Sequence, residues 1–233
     1  MKTLNKISEF LRSSGMQSTR MIIGVSIWIA IFSNYYLWLK ISKLGEESNI
    51  SLIISFVFIL IGVNIFSISV LGWGWLLRPI ASIFVVGAAS GAYFMQAYGI
   101  VIDSNMITNV LQTDFNEASD LINLQMIFVI LLLSLPPLWF IWRRNFSKST
   151  FGKLILQRLM LALLGISIAV VSLIVSFQAF SSTMRNHKEI RYLINPYNGL
   201  YAVFKKIDDS QKRKSKDLVK IGEGAYIEGA VDP

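Results

Sequence analysis

Long apolar runs separated by short polar breaks dominate this chain. Five runs are long enough to cross a hydrocarbon core, for which about 20 residues suffice. They are Met21–Leu39, Ile50–Leu71, Pro79–Tyr98, Leu124–Trp142 and Leu159–Phe180. None shows the period of two that a half-buried strand needs, and only helices or closed barrels satisfy the backbone in lipid. The pattern therefore predicts an all-α membrane protein with five transmembrane helices in 21–180. Residues 1–20 precede the bundle, and a polar segment, 181–233, follows it.

Details inside the runs refine this picture. Gly87, Ala88, Ala89, Ser90, Gly91 and Ala92 form a small-residue stretch in the third run. Small residues let helix backbones approach closely, so this run is expected at the centre of the bundle. A lining for a substrate path is the functional alternative. Pro136-Pro137 should kink the fourth run, with neighbours or Ser134 satisfying the carbonyls that proline frees. No ionisable residue stands in the middle of any run as bounded here, which argues against an ion-coupled pump.

Basic residues set the orientation. Four Lys/Arg in 1–20, Arg78 in the second turn and the five of Arg143–Arg158 fall on one side, expected to be cytoplasmic by the positive-inside rule. The first run then reads as an uncleaved signal anchor. The break between the third and fourth runs, Tyr98 to Asn123, has four acids (Asp103, Asp114, Glu117, Asp120) and no Lys or Arg. It is placed outside, together with the C-terminal tail.

This insert is the informative polar stretch. Asn105, Asn109, Thr113 and Glu117 recur every four residues, a ridge on a helix. Met106, Ile107, Val110 and Leu111 make the neighbouring apolar stripe. Asp114 and Glu117 have capping-box spacing, so a second short helix is expected to start there. The insert reads as an outward amphipathic helical element between helices 3 and 4, which the resemblance given below makes periplasmic. Periodicity alone favours a plain lid over the bundle.

Composition agrees with a membrane class: 54% hydrophobic residues, 15% charged, mean hydropathy +0.55. Cys is absent and His occurs once, which excludes disulfides and a Cys/His zinc site. The net charge of +8 does not indicate nucleic acid, because the basic residues flank apolar spans. After Phe180 the chain turns polar and aromatic, with a turn expected at Asn195-Pro196. His187 reads as a hydrogen-bonding residue. Lys205 to Lys220 reads as a solvated linker helix, with contact to lipid phosphates as the alternative.

The insert and tail together resemble the N-terminal membrane domain of the lipid A phosphoethanolamine transferases, which include the mobile colistin-resistance enzymes. Tyr98-Gly99, Asp103, Met106, Asn109, Leu111-Gln112-Thr113-Asp114 and Glu117 carry the resemblance. So do Arg78-Pro79 and the later pattern Arg185, His187-Lys188, Arg191, Tyr192, Asn195-Pro196 and Tyr201. The resemblance implies a bacterial inner-membrane protein. It also implies a periplasmic zinc domain whose Thr nucleophile moves phosphoethanolamine from phosphatidylethanolamine to lipid A. Asn109, Thr113 and Glu117 would line the head-group pocket, with Tyr98 counted among the substrate-binding residues. A carboxylate suits an ammonium, and amide and hydroxyl groups suit a phosphate. The nucleophile and zinc ligands of the family have no counterpart in these residues. The chain alone is therefore expected to hold no zinc and to be inactive, with a catalytic domain supplied in cis or in trans. The rival readings are a non-enzymatic membrane anchor or assembly subunit, and a small transporter component.

Overall fold

The structure is a computed structural model, described here for residues 14–44, 49–99, 123–143 and 151–214. All regular elements among them are helical. In chain order they are α1 (Ser14–Phe32), α2 (Tyr35–Ser42), α3 (Asn49–Leu71), a 3-10 turn (Gly74–Leu76) and α4 (Leu77–Tyr98). Then come α5 (Leu124–Trp142), α6 (Phe151–Val175), α7 (Phe177–Asn186), a 3-10 segment (Lys188–Leu193) and α8 (Tyr197–Lys214). Four helices are long and apolar enough to cross a membrane, and a fifth span is reached if α1 and α2 count as one, bent by 46°. The chain is a multi-pass membrane protein of all-α class.

Two expected runs differ from what forms. The first, read as unbroken from Met21 to Leu39, breaks at Ser33–Asn34. The fifth, read from Leu159, starts at Phe151 and ends at Val175, before the separate α7. Arg158 is therefore inside a spanning helix and only 4% exposed. The charge marked a boundary in the sequence, but the helix continues past it with the Arg158 side chain buried.

The break in the first span leaves carbonyls without helical partners, which is costly in lipid. Four carbonyls near it accept from side-chain donors. The Trp38 indole N–H reaches Ala30 O at 3.2 Å and Ile31 O at 3.1 Å. Asn34 Nδ2 donates to Ile29 O at 3.0 Å. Ser33 O accepts from Asn195 Nδ2 at 3.1 Å, across most of the chain. The second proline of α5 is treated alike: Leu133 O, freed by Pro137, accepts from Trp28 Nε1 of α1 at 2.8 Å. Ser134 bonds instead to Ile130 O at 2.6 Å. A neighbouring helix therefore serves the proline site.

α3 and α6 form the most extensive helix pair. Gly62 and Gly165 meet there so closely that a Cβ on Gly62 would strike the Gly165 carbonyl. A Cβ on Gly165 would lie 2.7 Å from Gly62 O. The closest backbone approach is thus between the second and fifth spans. The third span, expected at the centre of the bundle on its small residues, is the most buried of the four single spans, and its Gly91 makes room for a side chain rather than for a helix backbone. One end of the bundle is basic: Arg78 lies 5.7 Å from the Trp142 ring and Arg143 lies 4.7 Å from that of Trp139. Trp142 Nε1 also donates to Ser82 Oγ at 3.2 Å, tying α5 to α4.

Candidate functional site

At the end of the bundle opposite the basic one, α4 and α5 carry the two edges of the insert. α4 stops at Gly99, whose φ of 62° lies in the left-handed region that glycine adopts without strain. Tyr98, the last helical residue, is 40% exposed. Its ring stacks on Phe94 at 5.9 Å and meets Tyr93 edge-on at 6.2 Å. Asn123 caps α5 by accepting from Met126 N at 2.7 Å, and the same oxygen accepts from the Tyr93 hydroxyl at 3.2 Å. One hydrogen bond therefore joins the edges of the insert. Tyr36 stands beside this root, its hydroxyl 3.9 Å from where a Gly99 Cβ would be, with Lys40 Nζ 5.8 Å from its ring. The result is an aromatic patch at the insert end, suited to a small organic cation by ring quadrupoles.

Of the sequence-predicted substrate-binding residues, Tyr98 is in this root. Asn109, Thr113 and Glu117, with the rest of 100–122, lie outside the described residues. Among the described residues no three His, Cys, Asp or Glu come together, so a zinc ion has no ligand set there. His187, read as a hydrogen-bonding residue, faces Glu189 at 3.5 Å.

A second polar constellation was not anticipated. Beyond α7, around the turn expected at Asn195-Pro196, the chain comes back into the bundle. Ile190 and Leu193 join a buried cluster with Leu37, Phe56, Leu60 and Met95. Asn195, 2% exposed, docks against the break of the first span. Its backbone N–H donates to Asn34 Oδ1 at 2.9 Å, and its carbonyl accepts from Asn34 Nδ2 at 3.1 Å. Its side chain fills the space over Gly91, where any Cβ would collide with the amide, and reaches Met95 Sδ at 3.5 Å. Tyr197 goes deeper. Its hydroxyl donates to Asn64 Oδ1 at 3.0 Å and lies 3.2 Å from Ser67 Oγ, and its ring meets Phe84 edge-on. At about 1.5 Å per residue, Asn64 and Phe84 are both about 10 Å in from the basic ends of their helices. The sequence did hold a signal: Ile190, Leu193, Tyr197 and Leu200 recur at intervals of three and four.

Residues 60–210, from within α3 into α8, match the family model described as phosphoethanolamine transferase EptA/EptB. The chain belongs to this family. Among curated proteins it is 28% identical over 182 residues to phosphatidylethanolamine transferase Mcr-2 of Escherichia coli, covering 78% of this chain and 34% of that one. It is 26% identical to Mcr-1 of the same species, over 85% of this chain and 38% of the relative. Phosphoethanolamine transferase EptA of Salmonella typhimurium is also 26% identical, over 89% and 40% respectively. The chain thus spans between a third and two fifths of the length of these relatives. The solved lipooligosaccharide phosphoethanolamine transferase A from Neisseria meningitidis superposes with a TM-score of 0.75 at 23% identity. That match covers 82% of this chain and 36% of the other, and it shows the fold.

Proposed function

We propose that this chain is the membrane part of a phosphoethanolamine transferase of the bacterial inner membrane. It receives phosphatidylethanolamine at the insert, and the donated group goes to lipid A with help from a zinc-bearing catalytic domain in cis or in trans. The observation that supports this best is the aromatic root at Tyr98, pinned by Tyr93 and Asn123 and inside the range that matches the family. In this reading the ammonium of the head group meets Glu117 and the ring of Tyr98. Asn109 and Thr113 contact the phosphate. The modification adds positive charge to lipid A and weakens binding of cationic peptides such as polymyxins. The basic end faces the cytoplasm, with the N-terminus, and the insert and C-terminal tail face the periplasm.

The deciding substitution is Glu117→Gln, made in a version of the chain that carries its catalytic part. A charge-assisted contact contributes about 1.5–3 kcal/mol, so transfer at matched protein level should fall about tenfold to a hundredfold. Mass spectrometry of lipid A reads the outcome. Gln also serves in a capping box, so unchanged transfer would return the insert to a structural lid. Topology is read separately. A cysteine placed at Ser119 should react with an impermeant thiol reagent in intact spheroplasts, and one at Ser147 should not.

A further inference from the structure

The buried turn around Asn195 and the root of the insert share one element, the last two turns of α4. Gly91 and Met95 face the docked Asn195, while Tyr93 and Tyr98, on the same turns, hold the insert edge. The docking is built from peptide-group bonds rather than from apolar contact alone. The Asn34 amide pairs with both the N–H and the carbonyl of Asn195, and the Asn195 amide completes the broken first span. Moving Asn195 out of this seat would take from Ser33 O and from Asn34 Oδ1 the donors they have here and would empty the space over Gly91. The end of α4 is thus gripped from two sides, by the connector on one and by the insert on the other.

We propose that Asn195 and Asn34 are positioning residues for the head-group site: seating the connector turn fixes the end of α4 in the register that the site needs. This rests on the head-group reading above. Coupling of this kind is reciprocal, so a phosphatidylethanolamine head group held at Tyr98 also favours the seated turn.

Two glycines on one face of α4 provide the test. Gly91→Ala puts a methyl group into the Asn195 amide, whereas a Cβ at Gly87 would lie 3.9 Å from Pro196 Cβ, ordinary contact distance. In vesicles of phosphatidylglycerol with phosphatidylethanolamine, the wild-type chain and Gly87→Ala should bind a photoreactive phosphatidylethanolamine alike. Gly91→Ala should bind it about tenfold more weakly. Equal binding by Gly91→Ala overturns the coupling and leaves the head-group reading standing, while absence of binding by the wild type removes both.

A second measurement does not depend on Gly91→Ala folding. The Asn195 backbone N–H, which donates to Asn34 Oδ1 in the seated turn, should exchange its hydrogen more slowly in vesicles containing phosphatidylethanolamine than in phosphatidylglycerol alone. Tyr98→Ala should abolish that difference. Exchange indifferent to the lipid, or a lipid effect that survives Tyr98→Ala, would overturn the proposal.

Discussion

Two glycine contacts in this bundle look alike in sequence and work in opposite ways. Gly62 of α3 and Gly165 of α6 bring two helix backbones together, and nothing polar from a side chain lies between them. Gly91 of α4 makes room for an amide, and the partner is not a helix but a turn that returns from the far end of the chain. The first contact is dispersion packing of backbone on backbone. The second is a small receptor for a peptide group. A small residue in a spanning helix therefore announces close approach without saying what approaches.

Substitution can break this comparison at either contact. The largest effect belongs to the backbone contact: Gly62→Val or Gly165→Val should separate α3 from α6. The expected loss is about 3 kcal/mol or more, seen as a large drop in melting temperature in detergent. Gly152→Ala, where a Cβ meets nothing within 4 Å, should melt as the wild type does. Next comes the peptide receptor. Asn34→Leu strips the Asn195 backbone of both partners and should cost about 2–3 kcal/mol by the same measurement. Restoration of wild-type melting would show that the turn docks by apolar contact alone. The smallest effect is at the proline site. Trp28→Phe keeps the ring and deletes the donor to Leu133 O, with an expected loss of about 1 kcal/mol.

The membrane made much of the fold legible. Runs such as Ile50–Leu71 and Leu124–Trp142 stand out because lipid demands continuous apolar helix, and α3 and α5 form close to those limits. Asn34 was less informative, since an uncharged amide in an apolar run reads as tolerated. Only the structure shows that it marks a break and binds a peptide group 161 residues away. The return of 190–200 was hidden because its polar and charged residues dominate the composition of the tail, while its four apolar positions fit inside a receptor made by other helices. Tyr98 could be named from the resemblance, but its stacking on Phe94 and the Tyr93–Asn123 bond depend on how α4 meets α5.

The pairing of Asn34 with Asn195 also imposes an order on biogenesis. The first span enters the membrane early, and its broken helix must wait with the Ser33 carbonyl and the Asn34 amide lacking their final partners while four more spans are made. In the finished fold the donors and acceptor of these bonds reside after the last of those spans. Completion of the bundle is therefore tied to the arrival of one short turn. A chain ended before residue 195 and released would be a membrane protein whose spans are all present and whose first helix is still open.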